Sequence, residues 1–253
     1  MRDLLTTNPA LIAGLAGIAV MFLLGWFSDR RDKRRLLESG RPDPRLPIYN
    51  RTIGALWLLA LICFASWMAA GFTLSELGFR QTAPGWRTIA SWGAVSAGAA
   101  YMLWSVFKVA TSRRARVDVR RQFARAGDLE LIRPSTPAEH ARFRWVSLTA
   151  GITEEIIFRG FLIGVLALAM PVWLAAVLAT AAFVLVHIYQ GPAGMLRILP
   201  VSALLAVIFV IGGSLWPVMI LHALVDAISG GIVAITDRFE AEDAAAQEGA
   251  APA

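Results

Sequence analysis

Long apolar stretches alternate with short polar segments along the chain. A helix that crosses the hydrocarbon core of a bilayer needs about 20 apolar residues. The pattern therefore predicts an all-α, polytopic transmembrane helix bundle with about seven spans, eight being the alternative count. The predicted spans are 9–27, 52–72, 88–110, 145–170, 172–189, 196–212 and 215–235.

Basic residues mark one side of the predicted bundle. Of the 24 lysines and arginines, eight lie in 30–51 and nine in 113–144, both between predicted spans. Because cytoplasmic loops are enriched in Lys and Arg, these segments predict an N-terminus outside and a cytoplasmic C-terminus. We expect one membrane domain over 1–236, followed by a disordered, acidic and alanine-rich cytoplasmic tail over 237–253.

Composition agrees with membrane insertion and excludes several other classes. Hydrophobic residues make up 57% of the chain, charged residues only 17%, and mean hydropathy is +0.60, which is too apolar for a soluble domain. Cys63 is the single cysteine, so internal disulfides and CxxC metal sites are excluded. The net charge of +6 predicts attraction to membrane lipids and not nucleic-acid binding, because the cations lie between spans.

A few ionisable residues fall within the later spans, at helical spacing. Because an ionisable group in hydrocarbon is costly, each is a candidate for function. Residues four apart share one helix face, and three such pairs occur. They are Glu155 with Arg159, which predicts an ion pair, Phe183 with His187, and His222 with Asp226.

Glu154 has no such counter-charge. It lies five residues from Arg159, which directs it roughly 140° away around an α-helix. A carboxyl group in this situation suits a general base. The alternative is that Glu154 only forms hydrogen bonds between helices of the bundle.

Three short motifs occur in order, each on its own predicted span. They are E-E-x-x-x-R at 154–159, F-x-x-x-H at 183–187 and H-x-x-x-[N/D] at 222–226. Together they resemble the CPBP family of CAAX prenyl proteases and bacteriocin-processing enzymes, whose members include type II CAAX endopeptidases. The resemblance covers 143–235, which would be the catalytic core.

The resemblance implies an intramembrane endopeptidase, similar to enzymes that remove the last three residues after a prenylated cysteine. Glu154 and His187 would activate a water, and His222 with Asp226 would stabilise the oxyanion. The substrate would be a peptide, a prenylated protein or a membrane protein, and no cofactor would be needed. The protein would be a multi-pass protein of the bacterial inner membrane. Its active site would open to the cytoplasm. The supporting residues would be Glu155, Arg159 and Phe183.

Asp226 departs from the family pattern, in which asparagine is the familiar residue. An ionised aspartate only accepts hydrogen bonds, so Asp226 can donate to an oxyanion only when protonated. We expect it instead to hold His222 in the required tautomer, as the aspartate of a catalytic triad does.

Other functions use the same residues. A zinc-dependent version of the protease would take Glu154, His187 and His222 as ligands, although no H-E-x-x-H motif is present. The main alternative is a non-catalytic scaffold, immunity or partner-stabilising protein of the same family. A proton-coupled transporter is disfavoured because no inverted repeat is evident. A serine mechanism is disfavoured because no serine stands in a G-x-S-x-G motif.

Overall fold

The computed structural model describes residues 8–124 and 132–249, which form helices and contain no strand. The all-α prediction is therefore confirmed. The elements are α1 (Pro9–Glu38), α2 (Leu46–Ala69), α3 (Leu74–Leu77), α4 (Trp86–Thr111), α5 (Arg113–Ala124), α6 (Pro137–Glu154), a π-helical segment (Glu155–Leu162), α7 (Ile163–Ala167), α8 (Val172–Val186), a 3₁₀ turn (Ile188–Gln190), α9 (Gly191–Gly212) and α10 (Leu215–Gly249).

The helices coincide with the predicted apolar stretches. Each of the seven stretches lies, except for at most three residues at its end, on one helix or on a run of consecutive helical segments. Among the described residues, four helical segments are long and apolar enough to cross a membrane, which agrees with a multi-pass protein. The number of spans and their orientation stay predictions. The four segments are Leu46–Ala69, Trp86–Thr111, Ile188–Gly212 and Leu215–Glu240, and shorter apolar helices are Pro9–Leu23 and Val172–Val186.

The run from α6 to α7 differs from an ordinary span because a π-helical segment interrupts it. All eight residues of that segment are buried. Two of them, Glu155 and Arg159, are ionisable, and Glu154 immediately precedes them. π-helical turns are rare and occur frequently at functional sites, so this segment is the first structural indication of where a site lies.

The helices alternate in direction, so their connections lie at two ends of the bundle. At one end the start of α2 meets the segment before α6, where the Tyr49 hydroxyl donates to the Ile132 carbonyl oxygen at 2.6 Å. We call this the basic end, since the two arginine-rich segments lie there. At the other, the Arg80 end, the Leu215 N–H donates to the Gly78 carbonyl oxygen at 2.9 Å.

Glu139, in the first turn of α6, is fully buried and is bonded on both carboxylate oxygens. Its Oε1 accepts from the Arg45 backbone N–H at 3.0 Å. Its Oε2 accepts from Arg45 Nη1 at 3.2 Å, from the Ser135 N–H at 2.9 Å and from Ser135 Oγ at 3.1 Å. Burial alone would raise the pKa of Glu139, but the bonds from Ser135 and Arg45 outweigh burial and lower it. This cluster fastens α6 to the α1–α2 turn.

α10 continues beyond the predicted membrane domain. The sequence predicted disorder from residue 237, whereas the helix extends to Gly249, and residues 250–253 lie outside the described residues. Alanine and glutamate, which are abundant there, favour helices. Asp237 also pairs with Arg133 at 2.9 Å, which holds the extension against the rest of the basic end.

α6 and α10 approach each other closely beside the π-helical segment. A Cβ atom on Gly151 would lie 2.6 Å from the backbone nitrogen of Ala223, which is too close for any side chain. Glycine at this position therefore lets the two helices touch through their backbones. The contact brings His222, the neighbour of Ala223, next to the acidic residues at the end of α6.

Candidate active site

Three regions of the bundle bring the predicted site residues together. The junction of α6 with the π-helical segment supplies two carboxylates and a guanidinium group. The end of α8 and the first half of α10 supply the rest. The residues are Glu154, Glu155 and Arg159 at the junction, Phe183 and His187 at the end of α8, and His222 and Asp226 on α10.

Glu155 lies at the centre of the group and is fully buried. Its Oε1 accepts from Arg159 Nη1 at 2.9 Å, so the ion pair predicted from their spacing is present. The same oxygen contacts His222 Nδ1 at 2.7 Å. Glu155 Oε2 has no hydrogen-bond partner among the described residues. One carboxylate oxygen therefore links the guanidinium group to the imidazole ring.

Arg159 is held from its other side by α9. Its Nη2 donates to the carbonyl oxygen of Ser202 at 3.0 Å and to Ser202 Oγ at 2.9 Å. The guanidinium carbon also lies 4.6 Å from the ring centre of Phe183, a cation–π distance. Ser202 was not predicted as a site residue. It is 43 residues from Arg159 in the chain, and a small residue on an apolar helix indicates only helix packing.

His222 has its two ring nitrogens in different surroundings. A carboxylate only accepts hydrogen bonds, so the contact with ionised Glu155 requires a proton on Nδ1. Nε2 then faces two further carboxylates, with Glu154 Oε2 at 3.9 Å and Asp226 Oδ2 at 3.6 Å. Both distances are longer than a direct hydrogen bond. The ring is thus fixed through Nδ1, and Nε2 faces the other acidic groups.

Asp226 takes a different place from the one expected. From the spacing we expected Asp226 to orient His222, but Glu155 makes the 2.7 Å contact with Nδ1, and Asp226 lies 3.6 Å from Nε2. The helical spacing correctly places Asp226 on the same face of α10 as His222. It could not show that a residue 67 positions away would reach Nδ1 first. The side chain of Asp226 is 37% exposed, against 7% for His222 and 14% for Glu154.

His187 ends α8 as its C-terminal cap residue. Its Nδ1 lies 2.8 Å from the Phe183 carbonyl oxygen. A carbonyl oxygen only accepts, so Nδ1 carries the proton, and Nε2 of the neutral ring is an acceptor. The His187 ring lies 4.7 Å from the Phe183 ring, which in turn lies 6.0 Å from the His222 ring, measured between centroids. Both histidine rings therefore lie against the ring of Phe183.

Within the part of the chain that the structure describes, no three His, Cys, Asp or Glu side chains are grouped to bind one ion. The zinc set considered from the sequence, Glu154 with His187 and His222, is not assembled as a ligand group. Glu154 Oε2 lies 3.9 Å from His222 Nε2, and both histidine rings lie against Phe183.

Comparison with known proteins identifies the same region of the chain. Residues 137–228 match the family model described as Type II CAAX prenyl endopeptidase Rce1-like. The match begins with α6, ends in the first half of α10 and includes all seven predicted site residues. It covers a little more than a third of the chain. No curated protein and no solved structure matches the chain.

Proposed function

We propose that the chain is a membrane endopeptidase similar to the type II CAAX prenyl endopeptidases, whose family model matches residues 137–228, and that Glu154 is its general base. The observation that supports the proposal is the orientation of His222. Glu155 engages its Nδ1 at 2.7 Å, and Nε2 faces Glu154. A base and an oxyanion donor would thus lie side by side at one reacting carbonyl group.

The attacking water is held by Glu154 and His187. His187 accepts one hydrogen bond from the water at Nε2, since its Nδ1 is occupied by the Phe183 carbonyl oxygen. As the water oxygen bonds to the carbonyl carbon of the substrate, Glu154 accepts the other proton. The C–N bond then breaks, and the proton passes from Glu154 to the leaving amine. Water and peptide bond are consumed, and one acid and one amine are formed.

The oxyanion is stabilised by His222. A donor placed where negative charge develops is commonly the largest catalytic contribution. When His222 donates from Nε2 as well as from Nδ1, it carries a positive charge, which the Glu155 carboxylate balances. Arg159 keeps that carboxylate in place, and Ser202 keeps Arg159 in place. Asp226 adds negative charge on the Nε2 side of His222.

The substrate enters from the basic end, which we infer to be cytoplasmic. α8 starts at the Arg80 end, so His187 lies toward the basic end, where the chain turns into α9. Asp226 is one turn closer to that end than His222 and is also more exposed. By the family's activity, the substrate is a peptide whose scissile bond lies near a prenylated cysteine.

The experiment compares new peptide termini in membranes of cells that express wild type or Glu154→Gln. The matched control is Asp118→Asn, which removes an exposed carboxylate from α5, outside the site. We expect termini that appear with wild type and with the control but not with Glu154→Gln. If the three proteins are equally abundant and yield the same termini, the proteolytic function is wrong, and the non-catalytic scaffold takes its place.

A further inference from the structure

A cavity of about 500 Å³ opens at the basic end, between the end of α1 and the start of α2. Three arginines line it, and one glutamate opposes them. We call it the basic pocket; its charged residues are Arg35, Arg41, Arg51 and Glu38. All three arginines have exposed side chains, so the pocket is open to its surroundings. It is separate from the site above, which lies on α6, α8 and α10.

The start of α2 contributes to the wall of the pocket. Pro47 and Ile48, in the first turn of α2, form part of this wall. The helix terminus itself is not free to bind an anion, because Pro47 has no N–H, the Leu46 N–H donates to the Asp43 carbonyl oxygen and the Arg45 N–H donates to Glu139. The three arginine side chains therefore determine the ligand, and guanidinium groups favour a phosphate group.

The position of the pocket indicates the source of that phosphate. α2 is one of the four segments apolar enough to cross a membrane, and the pocket lies at its first turn. This is the depth at which lipid headgroups lie. Pro44, Pro47 and Ile48 give the pocket an apolar wall, which suits the glycerol and upper acyl region of a lipid. Basic pockets between spans on the cytoplasmic side are known to hold anionic headgroups.

We propose that the basic pocket binds the phosphate group of one anionic phospholipid molecule between α1 and α2. The arginines contact the phosphate, and the apolar wall contacts the glycerol backbone. Binding at this place ties the α1–α2 pair to the bilayer surface. The proposal does not depend on the catalytic function, because none of its residues belongs to the matched region.

The test measures lipid binding to the purified protein in neutral detergent by native mass spectrometry. The probes are phosphatidylglycerol, phosphatidylcholine and inorganic phosphate. The test variant is Arg35→Gln with Arg41→Gln, and the matched control is Arg113→Gln with Arg114→Gln, which removes the same charge from exposed positions on α5. We expect one tightly bound phosphatidylglycerol, bound about ten-fold or more weakly by the test variant and almost unchanged in the control.

Ile48→Trp is the second variant, because it fills the pocket without changing charge. Ile48→Trp should also weaken phosphatidylglycerol binding. If the double arginine variant does not fold, this variant alone tests whether the lipid binds in the basic pocket. Equal weakening in the test and control variants would mean that net charge alone attracts the lipid, which overturns the proposal. Binding of phosphatidylcholine as tight as that of phosphatidylglycerol, or displacement of the lipid by inorganic phosphate alone, would overturn it as well.

Discussion

Two fully buried glutamates in this molecule are each paired with an arginine, yet they are bonded in opposite ways. Glu139 has four donors spread over both of its carboxylate oxygens, including two backbone N–H groups. Glu155 has both of its contacts on one oxygen, and its other oxygen has no partner among the described residues. One of those contacts is a histidine whose second nitrogen faces two more carboxylates.

The difference separates a carboxylate that fastens helices from one that positions another group. Every donor to Glu139 comes from the segments it joins, so its bonds serve the connection between α6 and the α1–α2 turn. Glu155 joins Arg159 to His222, and His222 remains able to act through Nε2. The contacts of Glu155 therefore position a neighbouring side chain, whereas those of Glu139 connect segments of the fold.

The largest expected effect distinguishes these two glutamates by activity. Glu155→Gln should lose about 3–5 kcal/mol of stability, because it removes the ionic partner of the buried Arg159. Glu139→Gln should also be destabilised, because it removes a buried carboxylate that four donors bond. Only Glu155→Gln should also lose turnover per folded molecule, by about 100-fold or more. Stability is measured by thermal unfolding in detergent. The kcat of each variant is measured separately and is divided by the fraction of molecules that are folded. A Glu139→Gln enzyme with equally low kcat would break the comparison.

A smaller effect is expected at Ser202. Ser202→Ala removes one of the two bonds that Ser202 makes to Arg159, and the carbonyl oxygen retains the other. We expect kcat to fall about three- to ten-fold with KM unchanged, and Ser202→Thr, which keeps a hydroxyl group, to restore it. The control is Ser147→Ala, another buried serine, whose hydroxyl donates only to the Phe143 carbonyl oxygen. Equal losses in the two alanine variants would make Ser202 a packing residue only.

The bonds to Glu139 should make the stability of the folded protein sensitive to acid. The pKa of the Glu139 carboxyl group in the folded protein is below the ordinary value of 4.5. The folded state therefore binds this proton less tightly than the unfolded state does. The stabilisation is therefore complete above about pH 4.5 and is lost as the pH falls through the lowered pKa. Wild type should lose stability over that range more steeply than Glu139→Gln. Parallel stability curves for the two proteins would show that the carboxylate contributes nothing.

The smallest effect is expected at Asp226. Because Glu155 already fixes Nδ1 of His222, Asp226→Asn should change kcat by less than about three-fold. A decrease in kcat of ten-fold or more, measured at equal concentrations of folded protein, would show that Asp226 orients His222. Higher activity in the asparagine variant would instead favour direct donation to the oxyanion.

The sequence predicted those parts of the molecule that depend on local spacing. The helices follow from apolar stretches, and the Glu155–Arg159 pair follows from positions four apart. The contacts that define the site could not be predicted in this way. His222 reaches Glu155 across 67 residues and Arg159 reaches Ser202 across 43, and neither pair shares a helix. The π-helical segment is only eight residues long, which is too short for its periodicity to be recognised in the sequence. The Arg45–Glu139 contact joins residues 94 positions apart, so local spacing could not predict it either.

The most direct test of the account is proteolysis by the purified protein in vesicles. The substrates are a peptide that ends in a prenylated cysteine and three further residues, and the same peptide without the prenyl group. Wild type should release the last three residues of the prenylated peptide. Glu154→Gln, equally folded, should do so at least about 100-fold more slowly because it lacks the general base. Equal rates for wild type and Glu154→Gln would contradict the central claim that Glu154 activates the attacking water.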